Sequence, residues 1–135
     1  MKPALYAALG ALVLATPAVA QAQDPSGTYM SETGDTRVRI AKCGAAFCGI
    51  IIAVNGEAKD VNNPDPQLKT RNLVGVQMIS NIQPAGDAFT GSLYNYKDGK
   101  TYTGKMSFRG GNAMQLSGCV LGGLICRSQT WNKVN

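Results

Sequence analysis

Residues 119–126, CVLGGLIC, place two cysteines at the ends of a short apolar segment with Gly122 and Gly123 at its centre. Two cysteines at this spacing could bind a metal, form a redox pair, or close a hairpin. A small glycine-containing turn brings the residues on either side of it to cross-strand bonding distance. The segment therefore favours a disulfide between Cys119 and Cys126, with an antiparallel strand on each side.

A second pair of cysteines has the same arrangement. The segment CGAAFC, residues 43–48, again places a small turn between two cysteines, and we expect a second local disulfide between Cys43 and Cys48. A zinc site would require Cys-x-x-Cys spacing or histidine ligands, and the chain contains no histidine. We therefore expect neither a metal nor another cofactor.

The start of the chain indicates the compartment. It has one lysine at position 2, an apolar run over residues 5–15, Pro17, and then small residues at Ala18 and Ala20. This order is typical of a secretory signal peptide, and the apolar run is shorter than the ~20 residues that span a bilayer. We predict a signal peptide over residues 1–22, cleaved after position 20 or 22. Residues 23–135 then form one periplasmic or secreted domain, in a compartment where disulfides persist.

The charge pattern excludes some partners. The net charge is +5, but the lysines and arginines are scattered and do not form a basic run with interleaved aromatic residues. We therefore expect no nucleic-acid binding. Outward strand positions such as Lys105, Ser117 and Ser128 are polar where lipid would require apolar side chains, so we do not expect a membrane-spanning protein.

The mature chain shows the pattern of an all-β protein. Short runs rich in β-branched and aromatic residues alternate with turns containing Gly, Asn and Asp, and no sustained helical repeat is present. About eight strands are predicted, near residues 27–31, 36–43, 47–54, 73–81, 88–96, 100–108, 113–120 and 124–133. Hairpin-length connections predict a meander, which removes exposed edges by closing into an antiparallel up-and-down barrel. A β-sandwich is the alternative architecture.

The last hairpin predicts which side chains face the interior. Met114 and Leu116 alternate with polar residues, so Cys119 faces outward. If Cys126 pairs with Cys119, then Arg127 and Trp131 point inward.

One connection is too long for a hairpin. Residues 55–72, NGEAKDVNNPDPQLKTRN, are polar and contain two prolines, and loops of this length are usually functional or disordered. We expect this loop to cross one mouth of the barrel and to act as a mobile lid. Asp60, Asn62 and Asp65 loosely suggest calcium ligands, but the EF-hand pattern is absent and solvated turns are the simpler interpretation.

The order and spacing of several short motifs resemble an exported bacterial family, domain of unknown function 2147. The resemblance covers essentially the whole mature chain. It rests on Gly27-x-Tyr29, Cys43 to Cys48-Gly49, Asp60-x-x-Asn63-Pro64, Leu73-x-Gly75, Gly91-x-Leu93-Tyr94, Asp98-Gly99-Lys100-x-Tyr102, Gly118 and Gln129-Thr130-Trp131. This chain departs from the family pattern at Tyr29, where the family usually has Trp, and at Lys133, where Arg is commoner.

The resemblance implies a small lipocalin-like barrel. In such barrels an aromatic residue on the first strand packs under an arginine of the last strand and closes the base. By this likeness we expect Tyr29 and a buried Arg127 to form the closed end, as a cation on an aromatic face.

The resulting functional hypothesis is a non-catalytic barrel that binds a small apolar or amphipathic ligand. The candidate lining residues are Phe89, Leu93, Tyr102, Met106, Phe108, Met114 and Trp131. The same residues are also what a filled core would contain. The alternative is therefore a structural or protein-interaction module of the bacterial envelope, with an envelope protein as partner. An enzyme is not expected, because no histidine is available for the common catalytic triads and no inward carboxylate pair is evident.

Overall fold

The protein folds as a closed barrel of eight strands. A computed structural model describes Gly10 and residues 24–135, so the predicted signal peptide lies, apart from Gly10, outside the described residues. The strands are β1 (Gly27–Met30), β2 (Thr36–Cys43), β3 (Ala46–Val54), β4 (Gln77–Ala85), β5 (Ala88–Asn95), β6 (Lys100–Ser107), β7 (Ala113–Val120) and β8 (Ile125–Lys133). Short 3-10 turns are formed by Pro66–Leu68, Arg109–Gly111 and Leu121–Gly123.

Every strand pairs antiparallel with its neighbour in sequence, and β1 also pairs with β8 to close the ring. The predicted all-β up-and-down barrel is therefore confirmed, and the β-sandwich is excluded. The β1–β8 seam is short: Tyr29 lies opposite Lys133 and Met30 opposite Asn132, and backbone hydrogen bonds join Thr28 to Val134 and Asn135.

Alternating burial along the strands explains why these segments pair as a sheet with one covered face. In β2, Thr36, Val38 and Ile40 are buried, whereas Arg37 and Arg39 between them are exposed. Side chains in a strand point to opposite faces in turn, so the buried set faces the barrel interior and the charged set faces solvent.

Both predicted disulfides are present. Cys43 is bonded to Cys48 across the β2–β3 turn, and Cys119 is bonded to Cys126 across the β7–β8 turn. Turns of a meander alternate between the two ends of the barrel, so the two disulfides lie at opposite ends. We call the end with the β2–β3, β4–β5 and β6–β7 turns the closed end, and the other the open end.

One strand differs from its prediction. β4 was expected over residues 73–81 but runs from Gln77 to Ala85. Leu73 is fully buried, and its backbone N–H donates to the Ala58 carbonyl of the preceding loop, so the first apolar residues of this segment anchor the loop instead of forming the strand. The strand then continues past an irregularity at Asn81, where φ is 52°, a device that lets a strand bend without ending.

Aromatic rings fill the closed end. Tyr29 packs against Phe108 with ring centroids 5.7 Å apart, Phe108 packs against Phe89 at 5.5 Å, and Phe89 packs against Phe47 at 6.5 Å. The rings meet at tilted or edge-to-face angles, the geometry that aromatic quadrupoles favour. Together with Met106, Met114 and the buried isoleucines they form the core. Among the described residues, no helix is both long enough and apolar enough to cross a bilayer.

Candidate functional site

A cavity of about 340 Å³ occupies the open end of the barrel. Its walls combine apolar and polar side chains. It is lined by Ser31, Thr33, Asp35, Thr36, Met78, Leu93, Tyr94, Asn95, Tyr96, Lys97, Asp98, Tyr102, Leu116, Gly118, Val120, Ile125, Arg127, Gln129 and Trp131. The interior is thus filled at one end and open at the other.

A row of three glycines crosses the barrel wall beside this cavity. Gly91 lies opposite Gly104, and Gly104 lies opposite Gly118, on β5, β6 and β7. A Cβ atom at Gly118 would lie 3.4 Å from Cδ2 of Leu93 and 3.6 Å from Cβ of Tyr102. A Cβ atom therefore fits at position 118, and it would stand beside Leu93 and Tyr102, which both line the cavity.

The predicted lining residues divide into two groups. Leu93, Tyr102 and Trp131 line the cavity. Phe89, Met106, Phe108 and Met114 do not; each is buried in the packed core instead. Their assignment as lining residues is therefore corrected, since strand parity identifies inward side chains but not their height along the barrel axis.

The expected closure by Tyr29 and Arg127 is also wrong. The partner of Tyr29 on β8 is Lys133, six residues beyond Arg127 and hence about 20 Å further along the strand. Arg127 is exposed and lines the cavity at the open end. Tyr29 packs on Phe108 instead, and its hydroxyl donates to the Pro25 carbonyl at 3.0 Å.

Burial raises the pKa of Tyr29 to about 12, and the nearby negative charge of Asp24 acts in the same direction. The phenol therefore stays neutral at physiological pH. The closed end holds a neutral aromatic cluster where a cation on an aromatic face was expected.

Two turns are joined across the open end by polar contacts that we call the mouth clasp. The Lys97 ammonium lies 2.6 Å from Oδ2 of Asp35, and the hydroxyls of Thr36 and Tyr96 are 2.5 Å apart. These contacts connect the β1–β2 turn to the β5–β6 turn. Because all four residues also line the cavity, the mouth clasp forms part of its wall.

Asp35 is the main acceptor of the mouth clasp. Partial burial would raise the pKa of this carboxyl, but hydrogen bonds from Lys97, Thr33, Ser31 and Thr36 outweigh that effect and lower its pKa well below the ordinary value. Asp35 is therefore ionised throughout the physiological range, and its charge holds the two turns together.

The long connection between β3 and β4 is fixed by a buried carboxylate, and we call this group the loop anchor. Asp60 has no exposed surface. It accepts hydrogen bonds from Nδ2 of Asn63 at 2.8 Å, from Nε of Arg71 at 2.9 Å, and from the hydroxyl of Tyr94 at 2.7 Å. Arg71 also lies over the Tyr94 ring, 5.8 Å from its centroid. The loop is therefore tied to β5.

These bonds change the titration of both Asp60 and Tyr94. Burial would raise the pKa of Asp60, but its hydrogen bonds from Asn63, Tyr94 and Arg71 lower it overall. Burial and the bond to Asp60 raise the pKa of Tyr94 to about 12. Asp60 thus stays charged and Tyr94 stays protonated, as their hydrogen bond requires.

The same loop contacts the β5–β6 turn through Asn62. Its Nδ2 donates to the carbonyls of Tyr96 and Lys97, each at 3.1 Å. Gly99 has φ 73°, and a Cβ there would lie 1.9 Å from the Asn62 carbonyl oxygen, so only glycine fits. The loop expected to act as a lid is thus bonded to the β5–β6 hairpin at two separate places, and no described residue of the loop lines the cavity.

Both carboxylates suggested as calcium ligands accept hydrogen bonds from the protein. Asp60 has three side-chain donors, and Asp65 accepts from the backbone N–H of Gln67 at 3.0 Å. Within residues 24–135 no group of three cysteine, aspartate or glutamate side chains is placed to hold a metal ion.

Sequence reasoning missed the mouth clasp and the loop anchor. Asp35 and Lys97 are 62 positions apart, and no local pattern connects them. The loop anchor did leave a signal, because Asp60, Asn63, Leu73 and Tyr94 all belong to the motifs that carried the family resemblance. Those motif residues hold the loop on the barrel.

The fold and the cavity define the class of protein: a small closed β-barrel, plugged by aromatic residues at one end and hollow at the other. The sequence pattern of the bacterial family described as uncharacterized protein conserved in bacteria, domain of unknown function 2147, matches residues 27–133. The chain belongs to this family. The resemblance drawn from its motifs is therefore confirmed.

A solved structure supports the same fold. The Helicobacter pylori protein HP1028, described as belonging to the lipocalin family, superposes with a TM-score of 0.74. Its sequence is 23% identical, and the alignment covers 83% of this chain and 84% of that one. The similarity establishes a lipocalin-like barrel. No curated protein matches the sequence.

Proposed function

We propose that this protein is an exported, non-catalytic barrel that binds a small apolar or amphipathic ligand in the open-end cavity. The single observation that carries the proposal is the cavity itself, about 340 Å³ in volume. This volume lies at the lower end of the range of about 300–1,000 Å³ typical of small-molecule sites, so the ligand is small.

The distribution of side chains favours an amphipathic ligand. Leu93, Leu116 and Trp131 offer an apolar floor, whereas Arg127 stands at the exposed end of the cavity. The ion pairs among residues 24–135 are Asp60 with Arg71 and Asp35 with Lys97, so Arg127 has no carboxylate partner in the described part of the chain. An apolar body with a polar or anionic end matches this arrangement.

Tyr102 places a second polar group on the cavity wall. Its hydroxyl donates to Asp98, and that bond raises the pKa of Tyr102, while the positive charge of Arg127 acts in the opposite sense. A hydrogen-bonding group and a cation therefore stand near each other where a ligand's polar end would lie.

Two disulfides in a chain with a predicted signal peptide support export to an oxidising compartment.

We propose no catalytic role, because the described carboxylates that line the cavity already make structural contacts. Asp35 holds Lys97, and Asp98 holds Tyr102.

The test is a fluorescence and calorimetric titration with a small panel of probes. Decanoate, decanol and an anilinonaphthalene sulfonate dye cover anionic and neutral amphiphiles. Trp131 is the only tryptophan in the chain and lines the cavity, so its emission should report occupancy directly. Binding should show a negative heat-capacity change, because apolar surface leaves water.

A matched pair of variants locates the site. Gly118→Val places two methyl groups in the cavity and should weaken binding about tenfold or more. Gln115→Val adds the same side chain at an exposed outward position of the same strand and should leave binding unchanged. The proposal is wrong if no probe titrates, or if both variants bind as tightly as the natural protein.

A further inference from the structure

The turn between β7 and β8 exposes an unusual concentration of apolar surface. Residues 120–125, which we call the apolar tip, include Val120, Leu121, Leu124 and Ile125, exposed by 40%, 69%, 86% and 56%. These are four of the eight exposed large apolar side chains among residues 24–135. Single exposed apolar residues are ordinary, but a contiguous group of this kind marks an interaction site.

Val120 and Ile125 also line the cavity, but neither packing nor turn geometry explains the apolar side chains of Leu121 and Leu124. Leu121 is 69% exposed, and its φ of 54° places it in the left-handed region, where Gly, Asn or Asp are favoured. The hairpin thus has a large apolar side chain where a small polar residue would suit both solvent and backbone. Local rules are broken in this way chiefly at functional positions.

The apolar tip is held rigid at its base. Cys119 and Cys126 are direct register partners joined by a disulfide, and the Leu124 N–H donates to the Leu121 carbonyl. The disulfide and this hydrogen bond hold the turn in the conformation in which Leu121 and Leu124 are exposed.

Cationic side chains flank the apolar tip. The Lys105 ammonium lies 3.5 Å from the point where a Cβ of Gly123 would stand, and Arg127 follows Ile125 by two residues. Neither cation forms an ion pair with another described residue. The chain as a whole carries a net charge of +5.

We propose that the apolar tip docks this protein on an anionic lipid surface. Val120, Leu121, Leu124 and Ile125 would enter the headgroup boundary while Lys105 and Arg127 contact lipid phosphates. An exposed apolar turn flanked by Lys105 and Arg127 matches a lipid interface, whereas protein hot spots lie in the middle of broad packed patches. The inference does not depend on a ligand, but Val120 and Ile125 also line the cavity, so docking would turn its mouth toward the lipid.

The experiment is co-sedimentation of the purified protein with vesicles of phosphatidylcholine alone or mixed with phosphatidylglycerol. The N-terminus is first read by mass spectrometry, and all variants share it, because an uncleaved apolar run at residues 5–15 would bind lipid by itself. The natural protein should bind the mixed vesicles, and added salt should weaken the binding.

The decisive variant is Leu121→Asn combined with Leu124→Asn. Asparagine suits the left-handed backbone at position 121, so the fold should be kept while lipid binding falls about tenfold or more. The control is Val74→Asn combined with Val134→Asn, which removes two other exposed apolar side chains and should leave binding unchanged.

Three results would overturn the proposal. The natural protein could fail to bind mixed vesicles, or the double asparagine variant could bind as well as the natural protein. The third is self-association instead of lipid binding, seen as a concentration-dependent dimer in size-exclusion chromatography that the same variant abolishes. Each differs from a failed probe titration, which concerns the cavity alone.

Discussion

Asp60 shows how one buried charge can order a long loop. A carboxylate removed from water is unfavourable unless donors replace its hydration, and here Asn63, Arg71 and Tyr94 do so. Each donor comes from a different place along the chain, so their convergence fixes residues 60–71 on β5. The sequence segment around Asp60 was interpreted as solvated turns because local patterns do not reveal burial.

We therefore predict that Asp60→Asn lowers the free energy of unfolding by about 2–4 kcal/mol, since the amide cannot accept from all three donors and leaves buried groups unpaired. Urea denaturation measures the change. Asp65→Asn, in the same loop, is the control, because asparagine also caps the turn at Gln67 and the change should stay within about 0.5 kcal/mol. Equal effects of the two substitutions would contradict the role assigned to Asp60.

Hairpins are the elements that the sequence predicted best. Seven of the eight strands lie within one or two residues of their predicted bounds, because alternating burial and short Gly-containing turns are local signals. β4 begins four residues later than predicted, because the apolar residues before it contact the preceding loop. This is a tertiary contact, which local sequence patterns do not reveal. The Arg127 assignment failed for a similar reason: the strand pairing places Lys133, and not Arg127, opposite Tyr29.

The β7–β8 disulfide supports a hairpin that little else holds at its tip. Cys119→Ala with Cys126→Ala should reduce the free energy of unfolding by about 2–3 kcal/mol, the value expected for closing so short a loop. Alanine is chosen because Cys119 is only 2% exposed and a serine hydroxyl there would be buried. Chemical denaturation under non-reducing conditions measures the loss, and peptide mapping should show Cys43 still joined to Cys48. An unchanged free energy of unfolding would show that the disulfide between Cys119 and Cys126 does not stabilise the folded protein.

Across the whole molecule, two carboxylates connect the loops of the open end to the β5–β6 hairpin. Asp60 and Asp35 both have lowered pKa values, and both fasten a separate chain segment to this hairpin. The closed end depends instead on aromatic packing that does not titrate in acid. The two ends should therefore respond differently to pH.

Acid should open the cavity end first. A carboxyl whose pKa is lower in the folded state contributes stability above its unfolded pKa, near 3.8, and loses it as pH falls through the folded value. We expect little change in unfolding free energy from about pH 8 to 5, since the chain has no histidine, and a decline below about pH 4. Urea titrations between pH 8 and 2 measure this, and Asp60→Asn should flatten the decline. A transition centred near pH 6 would contradict the assignment.

The sequence predicted the barrel but not the division of its interior. The candidate lining residues included Leu93, Tyr102 and Trp131, and these line the cavity. They also included Phe89, Met106, Phe108 and Met114, which fill the core, because a sequence pattern does not show how high along the barrel axis a side chain lies. The polar contacts across the open end join residues far apart in sequence, so only the folded chain reveals them.

The short β1–β8 seam has a consequence for folding: we expect it to form after the other strand pairings. Every other pairing joins strands that follow each other along the chain, and all of these except β3–β4, with its long connection, are hairpins that can form locally. The seam alone must bring together segments from opposite ends of the domain, and it does so through Tyr29 with Lys133 and Met30 with Asn132. We therefore expect ring closure to be the last step of folding, and until it occurs β1 and β8 present unpaired edges that could join another chain.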